Sequence, residues 1–110
     1  MKNVVFHPRA LDELRAFPVE VRKAIGKALA DLQKGHSPGM PLSKPMPTVG
    51  NGVEELRVHS QTGAFRAFYY KKTMRGILVF HAFQKKSQKT QQRDIILGTK
   101  RLREMLNEEI

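Results

Sequence analysis

Apolar positions along the chain change period several times, and each change marks an element. Asn3 to Phe6 is a short β-branched apolar run and predicts a first strand. His7-Pro8 ends it, and Pro8 suits the first turn of a helix, where its missing N–H has no intrahelical partner to lose. Leu11, Leu14 and Phe17 follow at i, i+3 spacing and give a short amphipathic helix. Pro18 breaks it and opens a second helix, with Val21, Ala24, Ile25, Ala28, Leu29 and Leu32 on one stripe. Gly35 is a natural stop just past its end. Gly26 lies inside this helix at a cost of about 1 kcal/mol relative to Ala, which predicts close contact with the neighbouring helix.

His36 to Gly52 breaks the pattern. Pro38, Pro41, Pro45 and Pro47 with Gly39, Gly50 and Gly52 predict a segment without regular structure. A loop of this length is either functional or a surface excursion. Three strand-like runs come next: Val53–His59, Ala64–Lys71 and Ile77–Gln84, the last nearly all apolar and expected to be central. Ser60–Gly63 and Thr73–Gly76 supply the turns, so these strands form antiparallel hairpins. From Thr90 to Leu106 the residues Ile95, Ile96, Thr99, Leu102, Met105 and Leu106 return to helical spacing, with Thr90 as candidate N-cap. The expected fold is α+β, in the order β-α-α-β-β-β-α, with a mainly antiparallel sheet and a single domain over residues 1–110. No repeat, low-complexity segment or linker interrupts it.

Composition narrows the function. The 110 residues include no cysteine, which excludes a disulfide scaffold, a zinc–thiolate site, an iron–sulfur cluster and a cysteine nucleophile. No apolar run is long enough for a signal peptide or a membrane span, so a cytoplasmic location without membrane contact is expected. The net charge of +10 is concentrated: Arg57 to Arg103 carries twelve of the twenty basic residues and a single acid, Asp94. Such a block points either to a polyanion partner, most often nucleic acid, or to a generic solvated basic surface.

Several chemistries are poorly supplied. His7, His36, His59 and His81 lack ligand spacing, so no metal is expected, nor any other cofactor. Glu54 and Glu55 are adjacent and point to opposite faces of a strand, so they are not a catalytic carboxylate pair. Glu55 and Arg57 share a face as a local charge pair. Gly50-Asn51-Gly52 precedes a strand rather than a helix and is not a phosphate loop.

Strand parity is more productive. Arg57 and His59 share one face, Arg66, Phe68 and Tyr70 another, and Val79, His81 and Phe83 a third. If the two amino-terminal helices cover one side of the sheet, the other side gathers Arg57, His59 and Arg66. The run Lys85-Lys86-Ser87-Gln88-Lys89 lies just beyond the last strand. A cationic concavity with aromatic walls from Tyr70 and Phe83 would fit a phosphate backbone and stack exposed bases. It could also act on RNA, whose 2′-hydroxyl is a built-in nucleophile. Arg would stabilise the crowded phosphate, and a Lys among other cations, or His59 or His81, would move protons. For His81 a packed strand residue is the preferred reading over a catalytic one.

The chain resembles the RelE superfamily of type II toxin–antitoxin toxins, and most of all the HigB-like, phage-derived branch. The resemblance rests on Lys44-Pro45-Met46, Gly52–Arg57, Phe65–Tyr69 and, most specifically, Phe80–Thr90. Arg93-Asp94-Ile95-Ile96 with Lys100-Arg101 extends it. It implies an endoribonuclease that cleaves mRNA on the ribosome, and a cognate antitoxin that usually carries a helix-turn-helix domain. It implies that Arg66 stabilises the phosphate, that Arg57 matches a basic residue of the second strand and that Lys85 and Lys86 match the basic cluster after the last strand, which makes these four the candidate catalytic residues. Lys89 and Thr90 extend the motif, and with Arg93 they are candidate RNA-binding residues. The chain departs from relatives that carry a carboxy-terminal Tyr or His, since neither residue occurs after His81, and Gln91 stands where Pro is frequent. The general acid and base are therefore open. A ParE-like gyrase poison shares the fold, and a non-catalytic module that binds nucleic acid or a partner is the third reading.

Overall fold

The computed structural model describes residues 1–107. Its elements are β1 (Val4–Phe6), α1 (Pro8–Arg15), α2 (Val19–Gln33), β2 (Ser43–Pro45), β3 (Val53–Ser60), β4 (Gly63–Thr73), β5 (Gly76–Lys85) and α3 (Gln92–Leu106). The strands form one sheet in the order β1-β5-β4-β3-β2. The three long strands are antiparallel neighbours, as their short turns require. β1 joins β5 in parallel, Val4 opposite Ile77 and Phe6 opposite Val79, which the intervening helices make possible. The α+β architecture expected from the sequence is thus present.

Two helix boundaries follow their local chemistry. Pro8 opens α1, and the His7 ring caps it by accepting from the Arg9 N–H at 3.2 Å. Gly35, with φ of +89°, takes the left-handed conformation that ends α2.

Two expectations are corrected. The Pro/Gly-rich segment does contain regular structure, since β2 pairs with β3 through Ser43↔Leu56, Lys44↔Glu55 and Pro45↔Glu54. Pro45 is tolerated because β2 is an edge strand. Buried Ser43 anchors it, with its hydroxyl 2.7 Å from the Tyr69 hydroxyl and 3.2 Å from Glu54 Oε1. The simple alternation expected for β5 also fails. Tyr69 pairs with Val79 and Phe68 with His81, so a β-bulge leaves Phe80 as the extra residue. Phe80 and His81 therefore both face α3.

The sheet is covered on both sides. α1 and α2 bury Leu14, Val21, Ile25 and Leu29 against Leu56, Phe65, Ala67, Tyr69, Ile77 and Val79. α3 buries Leu102 and Met105 against Phe68, Leu78 and Phe80, with Met46, Val49 and Val53 alongside. Its close approach depends on Gly98, where a Cβ would lie 2.8 Å from the Phe68 ring.

A charged clamp ties these layers together. β1 pairs with β5 only as far as Val79. Beyond it, the Glu13 carboxylate of α1 accepts from the edge left without a strand partner at Ala82 N, at 3.1 Å. Arg101 of α3 is buried and donates to both Glu13 oxygens, at 2.8 and 3.1 Å, and to the Phe80 carbonyl at 3.3 Å. It also lies 2.9 Å from His81 Nδ1, and His81 Nε2 lies 2.8 Å from Asp94 Oδ1. Guanidinium only donates, so Nδ1 accepts from Arg101 and Nε2 donates to Asp94. Burial alone would raise the Glu13 carboxyl, but the His81 ring, Arg101 and the Ala82 amide outweigh it and hold its pKa down to about 2.

Candidate nucleic-acid interface

Where α3 stops covering the sheet, one row across the strands runs Arg57, Arg66, Phe83. Arg57 and Arg66 are directly opposed on neighbouring antiparallel strands, a pairing that like charges disfavour. Glu55, two residues before Arg57 on the same face, relieves part of the repulsion. Its Oε1 lies 3.6 Å from Arg66 Nε and 4.0 Å from Arg57 Nε. Neither Nε has a hydrogen-bond partner, although both are buried. The Arg66 side chain is almost wholly enclosed, and one of its hydrogen bonds goes to the Phe65 carbonyl at 3.1 Å. One carboxylate thus faces two guanidiniums whose hydrogen-bonding capacity is not filled.

A cleft of about 240 Å³ opens beside this pair, with Lys44, Met46, Glu55, Arg57, Lys85 and Thr90 among its walls. β2 supplies one wall and the segment after β5 the other. Thr90 closes the cleft by donating from Oγ1 to Glu55 Oε2 at 3.3 Å. This replaces the expected N-cap role: α3 begins at Gln92, capped by Gln91 without a side-chain bond. Lys85 also lines two adjoining clefts. One includes Arg66, Lys86 and Gln88, and the other Phe83, Lys86, Lys89 and Arg93.

Electrostatics follow from this crowding. Burial lowers the Lys85 pKa below its usual 10.5, Arg66 lowers it further, Glu55 opposes, and Arg57 and Lys44 add to the fall. Burial also lowers Arg66, with Glu55 opposing and Arg57 reinforcing the shift. A guanidinium remains charged regardless. A phosphodiester bound beside the pair would supply the negative charge that Glu55 alone does not and relieve the mutual repulsion.

Of the residues singled out in the sequence, Arg57, Arg66, Lys85, Lys86, Phe83, Lys89, Thr90 and Arg93 converge on these adjoining clefts. Three fall elsewhere. His81 is 2% exposed and both ring nitrogens are engaged in the clamp, so it is not on the open surface. α3, through Asp94 and Arg101, covers it there. Tyr70 lies opposite Val53, toward the other end of β4, against the apolar cluster under α3. His59 is exposed at the end of β3, opposite Ala64 and outside the cleft walls. The sequence reading missed Glu55 as the hub of the arginine pair and Lys44 as a wall. The shared parity of Glu55 and Arg57 was the available signal for the first. For the second, a strand hidden among prolines left no periodic trace.

Similarity to other proteins agrees with this architecture. A chain of the RelBE2 toxin–antitoxin complex from Mycobacterium tuberculosis superposes with a TM-score of 0.54 at 17% identity, covering 76% of this chain and 98% of that one. The fold is RelE-like. Residues 12–103 match the family described as phage derived protein Gp49-like (DUF891), and the chain belongs to that family. No curated protein matches it. No helix among the described residues is long and apolar enough to cross a membrane.

Proposed function

We propose that this chain is the toxin component of a type II toxin–antitoxin system and an endoribonuclease that cleaves mRNA on the ribosome. The observation that carries the reading is the opposed pair Arg57 and Arg66, held by Glu55 with unfilled Nε donors, beside Lys85. The RelE-like fold and the toxin–antitoxin complex that shares it support the reading.

The arrangement suits a reaction in which the RNA supplies the nucleophile. The 2′-hydroxyl gives its proton to a solvent water and attacks the adjacent phosphorus. The bond from phosphorus to the 5′-oxygen breaks, leaving a 2′,3′-cyclic phosphate and a 5′-hydroxyl. Arg57 and Arg66 stabilise the charge that gathers on the non-bridging oxygens. Lys85, with its lowered pKa, donates the proton to the leaving 5′-oxygen. Phe83 offers a ring for a neighbouring base, and Lys86, Lys89 and Arg93 follow the backbone.

Inducing the chain alone in a bacterial host tests this. Growth arrest with cut messages is expected, and Arg66→Ala or Lys85→Ala should relieve both. DNA damage with intact message would point to a gyrase poison instead. Full toxicity in both variants would overturn the site assignment.

A further inference from the structure

Gly26 has no reason inside this chain. Glycine in mid-helix costs helix stability, and α2 spans Val19–Gln33 around it. The contact that its position predicts is absent: a Cβ built there meets nothing within 4 Å, and no left-handed backbone demands glycine. The space it leaves is the floor of an open groove between α1 and α2. The groove measures about 200 Å³, and its apolar walls are Phe6, Leu11, Leu14, Ile25 and Leu29. Arg15 and Arg22 stand on its rim, both exposed. Neither has an ion pair or side-chain hydrogen bond among the described residues.

We propose that this groove receives an amphipathic helix of a partner protein, with an apolar side chain seated over Gly26 and acidic residues meeting Arg15 and Arg22. Taking the antitoxin as that partner rests on the function proposed above. An apolar floor with two free cations at its edge selects an apolar ridge with acidic flanks. A second copy of this chain fits poorly, because a two-fold contact would bring four arginines together on a chain of net charge +10. Nucleic acid fits poorly too, since the floor offers it no donors. The groove lies on the side of the sheet covered by α1 and α2, opposite the face that carries α3 and the cationic clefts. A partner here leaves those clefts free to be covered by another segment of the same protein.

The test uses the full chain co-expressed with the small protein encoded by the adjacent gene. In the complex, α1 and α2 amides should gain hydrogen-exchange protection. Gly26→Leu should weaken binding at least 30-fold, while Gly26→Ala should raise the melting midpoint of the free chain by about 4–8 °C. Should Gly26→Leu fail to fold, the exposed pair Arg15→Glu and Arg22→Glu carries the test, with at least a tenfold loss expected. Unchanged affinity in these variants overturns the proposal. So does protection confined to residues 85–90, a dimer of this chain that Gly26→Leu dissolves, or the absence of any complex. If no complex forms while the chain alone still cuts message, the groove proposal fails and the proposed function stands. If the groove binds its partner but no message is ever cut, the reverse holds.

Discussion

Two charged clusters lie on opposite sides of Phe68 and Phe83, and they spend their charges differently. In the clamp, Arg101 donates to Glu13 twice, to the Phe80 carbonyl and to His81, while His81 is turned by Asp94. Two carboxylates accompany one guanidinium there, Glu13 bonded to Arg101 and Asp94 to His81. At the cleft the ratio is reversed, with Glu55 alone facing Arg57 and Arg66 and with Lys85 close behind. A filled network fixes structure, whereas an excess of cations over carboxylates leaves positive charge that an anion from outside would neutralise. Basic composition alone does not separate the two cases, because Arg101 and Arg66 belong to the same positive stretch of sequence.

Breaking each cluster should have a different signature. The largest effect on stability is expected at the clamp. Arg101→Leu leaves Glu13 and His81 without their shared donor, and should cost about 3 kcal/mol in urea unfolding. At the cleft, Arg66→Lys keeps the charge but loses the planar fork, and should slow message cleavage about 10–100-fold with little change in unfolding midpoint. An equal loss of stability in both variants would erase the contrast.

Acid should act on the clamp first. The Glu13 carboxyl is held at about 2 in the folded chain against 4.5 for the free group. Its contribution is therefore complete above about pH 4.5 and is lost as the pH falls toward 2. Because Glu13 is partly solvated, the amount is about 1–2 kcal/mol. Glu13→Gln should flatten this part of the stability–pH curve. The smallest effect is expected at the cleft rim, where Thr90→Val removes one hydroxyl bond to Glu55 and should cost about 1 kcal/mol or less.

The fold was largely legible because the strands and helices carry clear periods. The first failure came at β2, where prolines mask an edge strand that needs no amide donor at Pro45. The second came at β5, where one extra residue turns Phe80 and His81 to the same side. His81 itself keeps the parity of Phe83, opposite Phe68, and it read as an open-face residue because α3 covers that part of the face. The cationic pair was legible because parity on β3 and β4 holds up to the bulge. The clamp was not, although the signal existed: Asp94 and Arg101 occupy the buried phase of α3 with Gly98, Leu102 and Met105. Charged residues at apolar positions of a helix mark partners that a single sequence does not name.

The most direct test presents ribosomes programmed with a defined message to the purified chain, and maps the new ends. Wild-type protein should produce 2′,3′-cyclic phosphate and 5′-hydroxyl ends. One 2′-deoxy substitution at the cut position should abolish cleavage there, and Arg66→Ala should slow it about 10²–10³-fold. Intact message, or equal cutting by Arg66→Ala, would contradict the assignment of the unfilled arginine pair as the phosphate site.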